Sequence, residues 1–557
     1  MSFRLEFAAA DHAGLSDLAL RALADRPRPN LFGGELPLPA HLEDLTPPAN
    51  LEARFVPEER DELAANLERR LTPLAPHVRV LDAVRSLREP GATMVVAGQQ
   101  PGLFGGPLFN LYKAVHVIRL ARDLADRWGT PVVPVLWNHA DDHDLAEAHH
   151  VHLATPQLDL AKVVLPGASS GRTPLGRYVL DDERHQLAAL RQRVTDLLGG
   201  EPFRDTAVDL CLPRHGETLA RAWTRLFLEL FGHHGLVVLE PDMVRANLSH
   251  ALADLLTDDP HPHLAANRSR LAERQVDVPI DPDTAALVYH IEQDERHALR
   301  HGGDGFRLDD EPGSRRASEL AAEVVGDLHG YSAGALLRPL VQDLALPVAA
   351  YVGGWGELAY HAQLTEWRAA SDLPRTPFVP RLACTLTDAR CRASLRRLDV
   401  DVPGFVAARR DPEATDPWSD REREPSAGLD LAADLAAEAD AFRTRLRERR
   451  DAVKDLDHAL VSQLERCADQ VKKHVVRFAD KVERVATNQK GGARRHLRRL
   501  DAWLWPRGGA QERSHSILQW LARFDRGWLD DLVEAIEPLP LEHHLVHLET
   551  PAGREQR

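Results

Sequence analysis

Residues 93–121, TMVVAGQQPGLFGGPLFNLYKAVHVIRLA, constrain the fold of this chain more than any other stretch. A short apolar run (93–98) enters a turn containing Gly98, Gly102, Gly105 and Gly106, and a helix starts near Pro107. A strand this apolar needs cover on both faces, as in a parallel sheet. A strand running straight into a helix opens a right-handed βαβ unit. Three further runs repeat the strand pattern: PVVPVLW (131–137), GLVVLEP (235–241) and PVAAYVGG (347–354). A second helix, ETLARAWTRLFLELFG, precedes the third run. The expected class is therefore α/β, a Rossmann-like parallel-sheet core with connecting insertions, followed by a C-terminal α-helical coiled coil.

The chain has 557 residues, enough for three or four domain-sized units at roughly 150 residues each. Residues 1–90 read as a helical leader packed on the core, with PEERDELAANLERRLTPLA its clearest helix. Residues 91–410 form the core. Within it, 155–215 and 255–330 are rich in Pro, Gly, Asp and Arg and read as insertions that build a lid or substrate wall. A polar hinge (411–426) leads to a coiled coil over 428–500. Its apolar seam is Leu446, Val453, Leu460, Leu464, Cys467, Val471, Val475, Phe478, Val482 and Val485. Residues 501–557 are expected as helices packing back on the body.

The net charge of −16 argues against non-specific nucleic-acid binding. Residues 441–500 nonetheless carry 17 Lys and Arg against 8 Asp and Glu. Aromatic residues are not interleaved with these cations, so a solvated coiled-coil face explains them better than a nucleic-acid arm. The four cysteines form no CxxC pair. The sequence shows no signal-peptide pattern and no apolar run of membrane-spanning length. A reducing cytoplasm, with no membrane partner, is the expected setting.

Candidate chemistry lies at four places. In GQQPGLFGGP, glycines permit a tight turn and close approach to a ligand, and the following helix N-terminus favours a phosphate. Lys113 lies two turns in. The loop matches neither GxxxxGK[ST] nor GxGxxG, and a purely structural turn is the alternative. Second, WNHADDHDLAEAHHVHL places His139, Asp141, Asp142, His143, Asp144, His149, His150 and His152 at a strand's carboxyl end. Ligands bind there in open α/β sheets. The set suits nucleotide contact with acid–base work, a metal site, or plain helix-capping aspartates. Third, in LLRPLVQDLALPVAAYVGGWGELAYHAQL, Arg338 and Gln342 share a helix face, and Glu357, Tyr360 and Gln363 recur at threes. They suit an amine or hydroxyl substrate, or they satisfy buried backbone groups. Fourth, Glu240 follows the third strand and suits a ribose or a helix cap.

AGQQPGLFGGPLFNLYKA, PVLWNHADDHD, LLRPLVQDLALPVAAYVGGWGELAYHAQL with PFVPRL behind it, and WLWPRGGAQER occur in one order from about residue 90 to the C-terminus. Through them the chain resembles the cysteine-adding enzymes of bacillithiol biosynthesis. The resemblance implies a core related to class I aminoacyl-tRNA synthetases, with GQQPGLFGGP in place of their histidine-bearing ATP loop, and a coiled coil that dimerises. It implies condensation of L-cysteine with the amine of glucosaminyl-malate, driven by ATP with magnesium. Zinc on the substrate thiol stays open, and no metal ligand set is assigned.

The expected catalytic residues are His143, Asp141, Asp144 and Arg338. Gln99, Gln100, Gly102, Gly105, Gly106, Lys113 and Glu240 are expected to bind nucleotide. Gln342, Glu357, Tyr360, Gln363 and Arg381 are expected to bind substrate. Expected partners are cysteine, glucosaminyl-malate and a second copy of the chain, without nucleic acid. Two alternatives are a metal-dependent hydrolase built on His139–His152 and a non-catalytic nucleotide-binding coiled-coil scaffold.

Overall fold

The computed structural model describes residues 6–8, 36–169, 171–276, 278–302, 305–309, 313–410, 427–540 and 542–549. The hinge expected at 411–426 lies outside them. The described chain divides into two compact units, Met1–Ala389 with Gly509–Arg557, and Arg390–Gly508.

The first strand, β1 (Glu6–Ala8), belongs to a small sheet described below. After α1 (Pro57–Leu71) come β2 (Thr93–Gln99) and β3 (Val132–Asn138), joined by α2 (Leu108–Trp128). Pro107 precedes the first turn of α2, and Gly129 in the left-handed region stops it. α2 is buried almost all round, as befits a helix lying on the sheet under further layers. A hairpin, β4 (His150–Ala154) and β5 (Leu160–Val164), follows. Then α3 (Leu219–Phe231) leads to β6 (Val237–Leu239), and α4 is Arg245–Thr257.

The second insertion folds as an antiparallel sheet of β7 (Ala286–Glu292), β8 (Glu295–Gly302), β9 (Gly305–Leu308) and β10 (Tyr331–Ala333), in the order β10-β7-β8-β9. α5 (Arg338–Ala345), β11 (Val348–Gly353), α6 (Trp355–Ala362) and β12 (Phe378–Pro380) complete the core. The central sheet is parallel, ordered β12-β11-β2-β3-β6. From β2 the chain runs outward to β3 and β6 on one side and to β11 and β12 on the other. The carboxyl edge beside β2 is therefore the topological switch point, where ligands bind.

The four expected strands are all present: the first runs one residue further, the second is shifted by one, the third and fourth are shorter, and the short β12 was not among them. The C-terminal return is not wholly helical. After three helices it ends in β14 (His543–His547), which pairs with β1 and with β13 (Ala383–Thr387). Among the described residues, no helix is long and apolar enough to cross a membrane.

The second unit starts at Arg390, ahead of the expected boundary at 428. Its main feature is a helical hairpin of α7 (Ala427–Glu448) and α8 (His458–Leu504), with Arg450–Leu456 between them. Arg443–Asp469 at 2.9 Å, Arg450–Glu465 at 3.5 Å and a Lys472–Asp440 pair fix the helices antiparallel. The expected single seam from Leu446 to Val485 is corrected. Leu460 and Phe478 are among the exposed apolar side chains, and Cys467 is exposed too. The buried positions are Ala432 and Ala439 on α7, and Val461, Ala468 and Ala479 on α8. Alanines let the two backbones approach closely, so the seam runs through residues that a search for large apolar side chains passes over.

Candidate active site

A cavity opens at the carboxyl edge of the central sheet. Trp137 and His139 come from the end of β3, Asp141 and Asp142 from the loop behind it, and Arg245 and Leu248 from α4. Arg338 and Val341 come from α5, and Tyr289, Arg296, Tyr331 and Ser332 from the antiparallel insertion sheet. The second insertion contributes Tyr289 and Arg296 to the cavity lining, and β10 just beyond it contributes Tyr331 and Ser332.

Three guanidinium groups dominate the electrostatics. Arg245, 5% exposed, makes a two-pronged bond to Asp141 (2.9 and 2.5 Å) and bonds Asp242 at 2.9 Å. Burial works against its charge, but those carboxylates outweigh burial and hold its pKa up. Arg296 lies 3.6 Å from the centre of the Tyr289 ring, donates to Ser332 Oγ and Ala333 O, and sits 3.9 Å from Asp142. Burial leaves its pKa lowered despite Asp142 and Asp141. Arg338 has no carboxylate within ion-pair distance among the described residues; burial works against its charge, but Tyr360, Tyr351, Asp142 and Glu357 act on it from further off and hold its pKa up.

His139 lies over β2 because position 98 is glycine: a Cβ there would come within 2.3 Å of His139 Nε2 and 3.1 Å of the Tyr351 hydroxyl. Burial, reinforced by Arg338, Lys113 and Arg296, pulls the His139 pKa well below its ordinary value. It is a neutral imidazole, and burial with three cations nearby makes it a weak base, suited to hydrogen-bonding as a neutral group and not to holding a proton.

Behind the cavity wall lies a buried charge pair. Lys113 Nζ, 1% exposed, donates to Glu357 Oε1 (2.6 Å), Gly98 O (2.6 Å) and Gln99 Oε1 (3.0 Å). Glu357 also accepts from the Tyr351 hydroxyl at 2.6 Å and from Gly354 N–H at 2.9 Å. Burial pushes the Glu357 carboxyl up, but Lys113 and these hydrogen bonds bring it below its ordinary value.

The expected residues sort as follows. Asp141 and Arg338 line the cavity. His143 lies beside it, its ring 5.7 Å from Tyr289 and its Nδ1 4.0 Å from Asp142. Burial and Arg296 lower its pKa. Asp144 caps the short helix Leu145–Ala148 through Glu147 N–H. Gln99 is tied to Lys113, and Gln100 is half-buried at the start of the turn.

Gly102, Gly105 and Gly106 do not line the cavity. Their turn is covered by the returning C-terminal segment: Ile517 N–H donates to Gly106 O and Leu108 N–H to His515 O. Gly105 O accepts from Asn110 and Trp223. The first N–H of α2, expected to meet a phosphate, is thus used inside the protein. Glu240 faces a separate, polar cavity and is held by Thr224 (2.6 Å) and Arg221 (2.9 Å).

Gln363 clamps the backbone of Ile280 through both ends of its amide, and Gln342 is buried in α5 beside Asp343. Arg381 is bonded two-pronged to Glu512 at 3.0 and 2.5 Å. Tyr360 is half-buried, with burial raising its phenol pKa. The histidines of 139–152 do not gather as a metal site: among the described residues, the one group of three donor side chains is elsewhere. Tyr289, Arg296, Tyr331, Ser332 and Arg245 escaped sequence reasoning. The insertion's arginines were noted only as part of its composition, and its lone Tyr289 and the single Arg245 after Glu240 carry no sequence signal.

Sheet order, switch-point cavity and insertion wall define a Rossmann-like protein with an arginine-lined cavity at its sheet edge. The family model for the N-terminal Rossmann-like domain of bacillithiol biosynthesis protein BshC matches residues 42–382, and that for its C-terminal coiled-coil domain matches 418–548. The chain belongs to the BshC family. Relatives named "Putative cysteine ligase BshC" include one from Koribacter versatilis, 28% identical over 89% of this chain and 91% of its own length. Another, from Solibacter usitatus, is 29% identical over 88% and 90%. A third, from Salinibacter ruber, is 28% identical over 84% and 85%.

Proposed function

We propose that this chain is a ligase that joins the carboxyl of L-cysteine to the amine of glucosaminyl-malate, forming bacillithiol. The observation that carries the reading is the cavity with Arg338 in no direct ion pair, Arg245 and Arg296 beside it, and neutral His139 at its edge. Such a site favours a polyanionic substrate, and a malate carrying two carboxylates fits that chemistry. A carboxylate is a poor acyl donor, so ATP with magnesium supplies the activation. The cysteine carboxylate displaces pyrophosphate from the α-phosphorus, and the sugar amine then displaces AMP from the acyl carbon.

In this reading Arg338 and Arg296 hold anionic oxygens, and preorganised cations stabilise charge as it develops. His143, beside Asp142 at the cavity's margin, takes the proton that the attacking amine loses, and neutral His139 hydrogen-bonds the substrate. The glycine-rich turn holds the site's floor in place and does not touch phosphate. The helical hairpin makes a homodimer, supported by its exposed Leu456 and Phe478.

The test mixes purified protein, cysteine, glucosaminyl-malate, ATP and magnesium under reducing conditions, with product and AMP or ADP followed by mass spectrometry. Bacillithiol and AMP are expected, and Arg338→Ala should lower turnover at least about 100-fold. No product from the intact chain overturns the reading, and ADP in place of AMP overturns the adenylate step.

A further inference from the structure

Away from the cavity, the turn Gly232–His234 that feeds β6 meets the helix Gly527–Ala535 of the C-terminal return. His233 Nε2 lies 2.7 Å and His234 Nε2 2.9 Å from one carboxylate oxygen, Asp530 Oδ1, almost 300 residues along the chain. The three donor atoms lie within 4.8 Å of one another, the one such group of three among the described residues. The two imidazole rings are 4.2 Å apart and tilted by 41°, so adjacent residues send both Nε2 atoms to the same point. Pinning the helix to the turn takes a single imidazole N–H on that oxygen; a second converging imidazole is what a cation adds a use for.

We propose that His233, His234 and Asp530 bind a divalent transition metal, zinc above all, as a clip between this turn and the C-terminal helix. Two imidazoles and a carboxylate suit zinc and its first-row neighbours. Bonds of about 2.0–2.1 Å in tetrahedral geometry need donors about 3.3 Å apart, so the cluster opens by about half an ångström to take the ion. His233 and Asp530 are 42% and 49% exposed, which leaves an entry path and room for a water ligand. The frame around the donors is already built. Arg79 donates to His233 O, and His77 stands edge-on to the His233 ring. Glu534, one turn beyond Asp530, is held by Arg122. The clip would fasten the segment whose residues 515–517 cover the glycine-rich turn, so its action is on stability and not on the reacting atoms.

The experiment uses the full chain, stripped of metal by chelation and dialysed. Zinc is titrated against a chromophoric chelator, and cobalt is added separately to read visible ligand-field absorption. One tight equivalent of zinc is expected, with a melting temperature that rises with zinc concentration. His234→Ala and Asp530→Asn should each weaken that equivalent at least about ten-fold and abolish the melting shift. Zinc affinity and melting shift unchanged in both variants overturn the proposal, as does an intact chain that neither binds zinc stoichiometrically nor gains stability from it. Should the variants fail to fold, the wild-type melting shift and the cobalt spectrum decide the matter.

Discussion

Lys113 shows how one side chain's role is decided by what faces it. Two turns into a helix after a glycine-rich loop, it reads in sequence as a phosphate ligand. In the structure it is wholly buried and bound to Glu357, Gly98 O and Gln99. Removing one partner of a buried pair leaves the other charge unpaired, which costs about 3–5 kcal/mol. Glu357→Gln is therefore expected to destabilise the chain by about that much, and Glu357→Gln with Lys113→Met to recover part of it. Denaturant unfolding measures both; a single variant within about 1 kcal/mol of wild type would sink the idea. The pair also marks the limit of what was legible at this scale. Asp141 stood out because dense charge at a strand end has few uses, and Arg338 because it shares a helix face with Gln342 ahead of a glycine-rich strand end. Gln363 and Arg381 looked equally functional, yet they tie down Ile280 and Glu512, and such partners are fixed by tertiary contacts with no sequence signature.

At the scale of elements, four of the five parallel strands were legible because each is a continuous apolar run bounded by glycine or proline, and the three-residue β12 was too short to show one. The insertion sheet β7–β10 was not. Its strands put Tyr289 and Arg296 on the cavity face and His290, Glu292, Glu295 and His297 on the other, so neither alternation nor an apolar run betrays them. The hairpin was legible as helix but not in its seam, since alanine at Ala439 and Ala468 carries the contact. With alanines inside, large apolar side chains are left outside: Leu456 is 82% exposed and Phe478 58%. The proposed homodimer would cover these two side chains. Phe478→Glu with Leu456→Glu is expected to convert a dimer to a monomer in sedimentation without loss of helix signal. Wild-type chain that sediments as a monomer at micromolar concentration would rule this out.

At the scale of the whole molecule, buried neutral histidines set the response to acid. His116 illustrates the cause: its Nε2–H donates to Pro538 O at 2.9 Å and its Nδ1 accepts Leu382 N–H at 3.1 Å, so protonating Nδ1 breaks a bond to the backbone. Burial lowers its pKa from 6.5 to about 4, and burial lowers His544 to about 4 as well. Burial also takes His139 and His361 well below 6.5. In each case the folded pKa is depressed. The stabilising contribution is complete above the unfolded value near 6.5 and is lost as pH falls from there towards 4, because the unfolded chain takes the proton first. For His116 the full loss is about 3 kcal/mol, and each histidine adds a slope of about 1.4 kcal/mol per pH unit within the window. The lowered carboxylates Glu357, Glu512 and Asp141 act in the same direction but only below about pH 4, where unfolded carboxyls protonate. Unfolding midpoints measured from pH 7.5 to 4.5 should therefore begin to fall near pH 6.5, well above the carboxylate range. His116→Gln, whose amide can make the same two bonds without titrating, should make that fall shallower by one proton's worth. A midpoint that stays level down to pH 5 would show that these imidazoles are not held neutral by the fold.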